Sequence, residues 1–203
     1  MVNETTSSTR LGLPVLLTAL TGLRRGEVLA LRGANVNFGR RRVAITEAVE
    51  QTRTYGVRFK SPKSRSSKRV LLIADQLIET LQHHKARQEV GRKQLGEAYF
   101  DHGLVFCNED GTPWAPDTFT KQFATIIRAS GLADFRFHDV RHAFASITLK
   151  QGVSVKEVSA LLGHSSPMLT LSTYARTMEG LGRQAVNGLV KSLLVPKGTA
   201  APR

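Results

Sequence analysis

The chain has 203 residues, enough for one well-cored domain, and its 29 Lys and Arg against 16 Asp and Glu give a formal charge of +13. Apolar runs such as Val15-Leu16-Leu17 and Val70-Leu71-Leu72-Ile73 are far too short to span a bilayer, and the single cysteine, Cys107, excludes an intrachain disulfide or a cysteine-based zinc site. A basic excess of this size points to a polyanion, and to nucleic acid before a membrane surface, because the most basic stretch, Arg40 to Arg69, has the pattern of strands and not of an amphipathic helix.

Residues 1–10 are polar and lack the basic-then-apolar layout of a secretion signal, so they are expected to be a leader or linker on a cytoplasmic protein. Pro14 suits the first turn of a helix in which Leu13, Leu16, Leu17, Leu20 and Leu23 recur at helical spacing. Gly22 ends it, and a short helix from Arg25 to Leu31 precedes Gly33. From Arg42 the period changes to two: Val43 with Ile45, Val57 with Phe59, and Val70 with Leu72 alternate between turns at Tyr55-Gly56 and at Ser61-Pro62 to Ser67. This predicts three antiparallel strands.

Helical spacing returns from Asp75 to about Glu89, with Leu77, Ile78 and Leu81 on one side. A short strand at Leu104 to Phe106 and a turn at Asn108 to Gly111 lead to a helix from about Asp117 to Arg128, carrying Phe119, Phe123 and Ile127; Cys107 beside the strand is expected to be a small buried hydrophobe. The last third is almost wholly helical. Val140, Phe144 and Ile147 form one stripe, Ser154 and Glu157 have the spacing of a capping box, Gly163 suits a helix end, and Ser166-Pro167 can start the helix that carries Tyr174. A final amphipathic helix is expected from Gly182 to Leu194, then a flexible tail from Pro196 to Arg203. The fold class is therefore α+β, mainly α-helical with a small three-stranded antiparallel sheet, in one domain over residues 11–195.

Three blocks can aim basic or nucleophilic side chains together: Thr21-Gly22-Leu23-Arg24-Arg25-Gly26-Glu27, His138-Asp139-Val140-Arg141-His142, and Leu161-Leu162-Gly163-His164, followed by Tyr174. The spacing of three puts His138 and Arg141 on one helical face. Taken singly, each residue has a plain structural role open to it. Arg24 can pair Glu27 at a helix end, His164 can cap carbonyls, and a tyrosine in an amphipathic helix ordinarily packs.

In their order and spacing these blocks resemble the tyrosine recombinases of the phage-integrase family, over about Leu11 to Leu194, the extent of the family's catalytic domain. The resemblance implies cleavage and rejoining of DNA through a 3′-phosphotyrosyl link to Tyr174, in site-specific recombination or integration. Arg24 and Arg141 would offer forked, permanently charged donors to the phosphate, as lysine could not. His138 would accept the phenolic proton, and His164 would bond a phosphate oxygen. Lys63, on the turn before Arg69, would protonate the leaving 5′-oxygen, with Lys60 and Lys68 as alternatives. Arg25 is assigned to the surface, His142, facing elsewhere, to structural hydrogen bonding with only an indirect influence on the site, and Glu27 to orienting an arginine or a helix start.

The resemblance implies double-stranded DNA as partner, a tetramer on paired sites, a monomer when free, no membrane, and no metal or cofactor, because the phosphotyrosyl bond preserves the energy of the broken phosphodiester. Two other functions compete: a DNA-binding remnant or regulator without catalysis, and relaxation of supercoils in the manner of a type IB topoisomerase. Family members usually carry a further N-terminal helical domain, for which residues 1–10 leave no room.

Overall fold

The computed structural model describes residues 10–61, 65–131 and 135–174. The first helix, α1 (Gly12–Thr21), has Pro14 in its opening turn and closes on Gly22, whose φ of 68° is left-handed. A Cβ at Gly22 would stand 2.5 Å from a ring carbon of Phe144 and 2.8 Å from Leu162. Gly22→Ala is therefore expected to lower stability by about 2 kcal/mol, through strain and overpacking together. An unchanged urea midpoint for that variant would contradict this packing.

The helix α2 (Arg25–Leu29) follows at once and buries Glu27, Val28 and Leu29. Five strands come next: β1 (Val36–Asn37), β2 (Arg42–Ile45), β3 (Ala48–Thr52), β4 (Gly56–Lys60) and β5 (Arg69–Leu72). They do not form the single sheet expected of the three alternating segments. The three-stranded sheet is antiparallel in the order β1-β2-β5, whereas the Val57–Phe59 segment lies in β4, which pairs with β3 as a separate hairpin.

The buried face of β5 also differs from the one expected. Val70 and Leu72 are 60% and 73% exposed, while Leu71 and Ile73 are buried. Four apolar residues in a row cannot say which pair faces inward, and the register decides it: Leu71 lies opposite Val43, itself buried.

The remaining helices are α3 (Asp75–Leu95), α4 (Pro116–Ala129), α5 (Phe137–Lys150), α6 (Val155–Leu162) and α7 (167–174). α3 runs a turn and a half beyond its expected end, its later residues being mostly exposed and polar, and the expected strand at Leu104 to Phe106 is reduced to a bridge from Leu104 to Arg32. Cys107 is half-buried and not fully enclosed, with Gln88 Nε2 donating to its Sγ at 3.0 Å.

Among the described residues two clusters make the core. The larger gathers α1, α2, the three-stranded sheet, α3 and α4 around Leu17, Leu23, Val28, Val43, Leu77 and Phe119. The smaller joins α5, α6 and α7 through Ala145, Leu149, Val158, Leu162 and Tyr174. Ile147, expected in the α5 stripe, is exposed instead, and Ala145 and Leu149 take its place. The expected final helix and tail lie outside the described residues, as does Lys63.

Candidate active site

The turn after α6 organises the site. Ser154 caps that helix by accepting from Glu157 N, and Gly163 ends it at φ 66°, where a Cβ would meet Arg69 Nη1 at 2.7 Å and Ser66 O at 3.1 Å. No larger residue fits against the β5 arginine there. Two guanidinium groups donate to carbonyls of this one turn: Arg24 Nη2 to Gly163 O at 3.1 Å and Arg141 Nη2 to Leu162 O at 2.8 Å. Arg141 Nη1 also donates to Gly22 O at 2.5 Å, so the first, second and third sequence blocks meet on the same few atoms.

Glu27 explains why the arginines can be held this close. Its carboxylate accepts from the backbone N of Arg24 at 2.8 Å and from Arg24 Nη1 at 2.9 Å, and both its oxygens accept from Arg69, each at 2.9 Å. Burial pushes the Glu27 carboxyl up, but the bonds and charge of Arg69, followed by Arg24, more than offset this and hold it below the usual carboxylate range. Arg69 continues to Leu161 O at 2.6 Å, tying β5 to α6. Burial and then the nearby charge of Arg24 push the Arg141 guanidinium down from its ordinary value. A guanidinium still keeps its charge at neutral pH, and of its five N–H donors the two carbonyl bonds engage only two.

His164 follows Gly163 directly, and its Nδ1 lies 2.7 Å from Thr170 Oγ1 on α7. Burial, followed by the charges of Arg141, Arg24 and Arg69, pushes this imidazole down to about 4 from an ordinary value of 6.5. Between those two pH values an unfolded chain binds a proton that the native histidine refuses. Stability should accordingly fall as pH drops through this window, and His164→Gln should make the fall shallower. Melting temperatures at pH about 7 and about 5 measure it, and equal falls in the two proteins would rule out this linkage.

Tyr174 is buried in the small cluster, and its hydroxyl meets an imidazole other than the one expected. His142 Nδ1 lies 2.8 Å from Tyr174 Oη. His138 packs edge-on against His142, with ring centroids 4.6 Å apart, one helical turn before it on α5. Four residues after His138 and one after Arg141, His142 is thus the histidine placed on the Tyr174 hydroxyl. Burial raises the Tyr174 phenol above its ordinary value and Arg141 opposes this, so the hydroxyl is protonated at neutral pH.

Of the six expected site residues, Arg24, Arg141 and His164 come together around one turn, and Tyr174 joins them through α7. His138 reaches the phenol only through His142. Lys60, an alternative to Lys63, is paired with Glu50 on the β3–β4 hairpin, while Lys68 is exposed. Arg25 is not simply a surface residue, since its Nη1 donates to Thr120 Oγ1 at 2.6 Å and to Pro116 O at 3.2 Å, pinning α2 to α4. Arg69 was legible in principle. At a period of two it shares a face with Leu71 and Ile73, and choosing that pair as the inner face would have placed it inside. A cavity of about 650 Å3 between α1, α3 and Trp114 contains none of these residues.

The chain is similar to known proteins over most of its length. The chain is 29% identical over 199 residues to a "Tyrosine recombinase XerC-like" protein of Caldanaerobacter subterraneus subsp. tengcongensis, covering 93% of this chain and 51% of that one. It is 28% identical to the ICEBs1 integrase of Bacillus subtilis, over 76% of this chain and 42% of the relative. The chain thus spans about half the length of the curated relatives it matches. Among solved structures, the Tn1549 transposon integrase in complex with transposon right end DNA superposes with a TM-score of 0.74 at 17% identity, over 88% of this chain and 58% of that one. The XerA recombinase superposes at 0.67 and 19% identity, over 90% and 61%. These two establish the fold. Because the model described as "Phage integrase family" matches residues 1–179, a stretch that takes in the arginine blocks, the Leu162–His164 turn and Tyr174, the chain belongs to the phage integrase family.

Proposed function

We propose that this chain cuts and rejoins DNA strands in site-specific recombination or integration, by attack of Tyr174 on a phosphodiester to give a 3′-phosphotyrosyl link and a free 5′-hydroxyl. The observation that carries this reading is the convergence of Arg24 and Arg141 on the Leu162–Gly163 turn, with His164 and the Tyr174 helix attached to it. A phosphate under attack gathers negative charge on its non-bridging oxygens, and two preorganised guanidinium groups stabilise it there. With Nδ1 on Thr170, His164 can turn Nε2 to the same phosphate. His138 completes the expected imidazole pair, and Lys63 is assigned the proton for the leaving 5′-oxygen. These parts supply positioning and electrostatics, which is what phosphoryl transfer to a tyrosine needs.

Double-stranded DNA is the proposed partner, in the bacterial cytoplasm, with four chains assembling on two paired sites and single chains in its absence. Exposed Arg40, Arg42 and Arg53 and the Arg58 side of the β3–β4 hairpin are suited to backbone phosphates. The Tn1549 integrase and XerH structures, solved with transposon and difH DNA, lend support by family.

The test is incubation with a pool of nicked duplexes bearing randomised flanks, with magnesium withheld. A detergent-stable protein–DNA adduct, whose captured strands share a sequence, is the expected result. Binding without any covalent linkage would select the non-catalytic DNA-binding alternative, and adduct formation without sequence preference would favour topoisomerase-like relaxation.

A further inference from the structure

Resting on the reading of Tyr174 as nucleophile, we propose that His142, and not His138, is the group that takes the phenolic proton.

The geometry separates two imidazoles that the sequence leaves side by side. His142 Nδ1 is within hydrogen-bond reach of Tyr174 Oη, at 2.8 Å, in a cluster where Ala145, Leu149, Val158 and Leu162 surround the phenol. His138 is exposed and presents its ring to His142 at 4.6 Å. A base must touch the proton it removes, and His142 does. Charged and titratable groups facing this imidazole are Tyr174 from α7 and, on α5 itself, His138 and Asp139. Asp139 is committed to Arg136, which donates to it at 2.8 Å from the backbone and at 3.2 Å from Nη2. It is therefore no competing acceptor for the phenol.

In the step itself the Tyr174 O–H bond breaks and an Nδ1–H bond forms on His142. The O–H electron pair stays on the phenolate oxygen and becomes the new O–P bond, while the P–O5′ bond breaks and its electron pair leaves with the 5′-oxygen, which takes a proton from the general acid. For this, His142 must be the tautomer that carries its proton on Nε2. Protonated afterwards, the same imidazole can return the proton to Tyr174 when a 5′-hydroxyl attacks the link and rejoins the strand.

The test compares single-turnover adduct formation on one duplex captured from the nicked pool. His142→Asn sets an amide oxygen near the position of Nδ1, so it can accept the phenol's hydrogen bond yet cannot take its proton. Expected are unchanged DNA affinity, an adduct rate lowered about 100-fold at neutral pH, and a rate that climbs steadily with pH where the unaltered chain levels off. His138→Asn, which alters a neighbouring part of the site, is expected to lower the rate while keeping the plateau. An unaltered rate in His142→Asn overturns the proposal, and so does a lowered rate with the plateau intact, which would mean the imidazole only positions the phenol. Should the amide unsettle α5, His142→Ala with imidazole in the buffer decides the matter. Recovery that follows the neutral imidazole supports the proposal, and no recovery with DNA binding preserved overturns it. Failure of the unaltered chain to form any adduct is a separate result, which removes Tyr174 itself.

Discussion

Tyr174→Phe is expected to bind DNA as well as the unaltered chain and to form no covalent adduct at all. The ring would remain among Ala145, Leu149, Val158 and Leu162, so the packing of α7 survives; what goes is the hydroxyl bonded to His142. Losing that one hydrogen bond costs about 1 kcal/mol of stability, too little to unfold the domain. The loss of the adduct is expected to be complete because phenylalanine carries no oxygen with which to attack phosphorus. Detergent gels on nicked duplexes, read beside a binding titration, measure both halves. A Phe variant that still becomes linked would show that a different nucleophile attacks.

Glu27→Ala should be the most destabilising single change at the site, and should silence it too. The carboxylate is 4% exposed and bridges Arg24 and Arg69, whose side chain is itself 7% exposed. Removing it leaves a buried guanidinium without its anion, a loss of about 3 kcal/mol, which for a chain of this length is roughly 10 °C in melting temperature. Arg24 would also lose the two bonds that orient its backbone and side chain toward Gly163. Because the native carboxyl is held below its ordinary value, its contribution is present above that value and is lost as pH falls through the native one. Glu27→Ala should therefore show a flatter acid limb in its unfolding profile. A variant that melts within a degree or two of the unaltered chain would refute the bridging role.

The helices and their ends were legible in the sequence because they rest on local signals: Pro14 in a first turn, Gly22 and Gly163 as left-handed ends, Ser154 and Glu157 as a cap. So was the meeting of Arg24, Arg141 and His164 around one turn, since they stand in short blocks whose order carries the resemblance. What escaped was set by pairing at a distance. β4 turned back on β3 to form its own hairpin, which alternation alone does not reveal. β5 buried Leu71 and Ile73 because Val43 lies opposite Leu71, and that choice of face brought Arg69 onto Glu27. His142 escaped for a different reason: its value comes from where α7 lands, and α7 is placed by Leu162 and Val158 on another helix.

The division of the interior has a mechanical corollary. α5 belongs to both clusters, with Phe137 and Val140 in the large one and Ala145 and Leu149 in the small one, so Arg141 stands at the joint. Arg24, Glu27 and Arg69 stand on α2 and β5 at the larger cluster, whereas among the described residues Tyr174 packs with Ala145, Leu149, Val158 and Leu162 in the smaller one. Amide exchange should thus open α7 before α1 and α2, so that Tyr174 can shift while Arg24 and Glu27 stay in place.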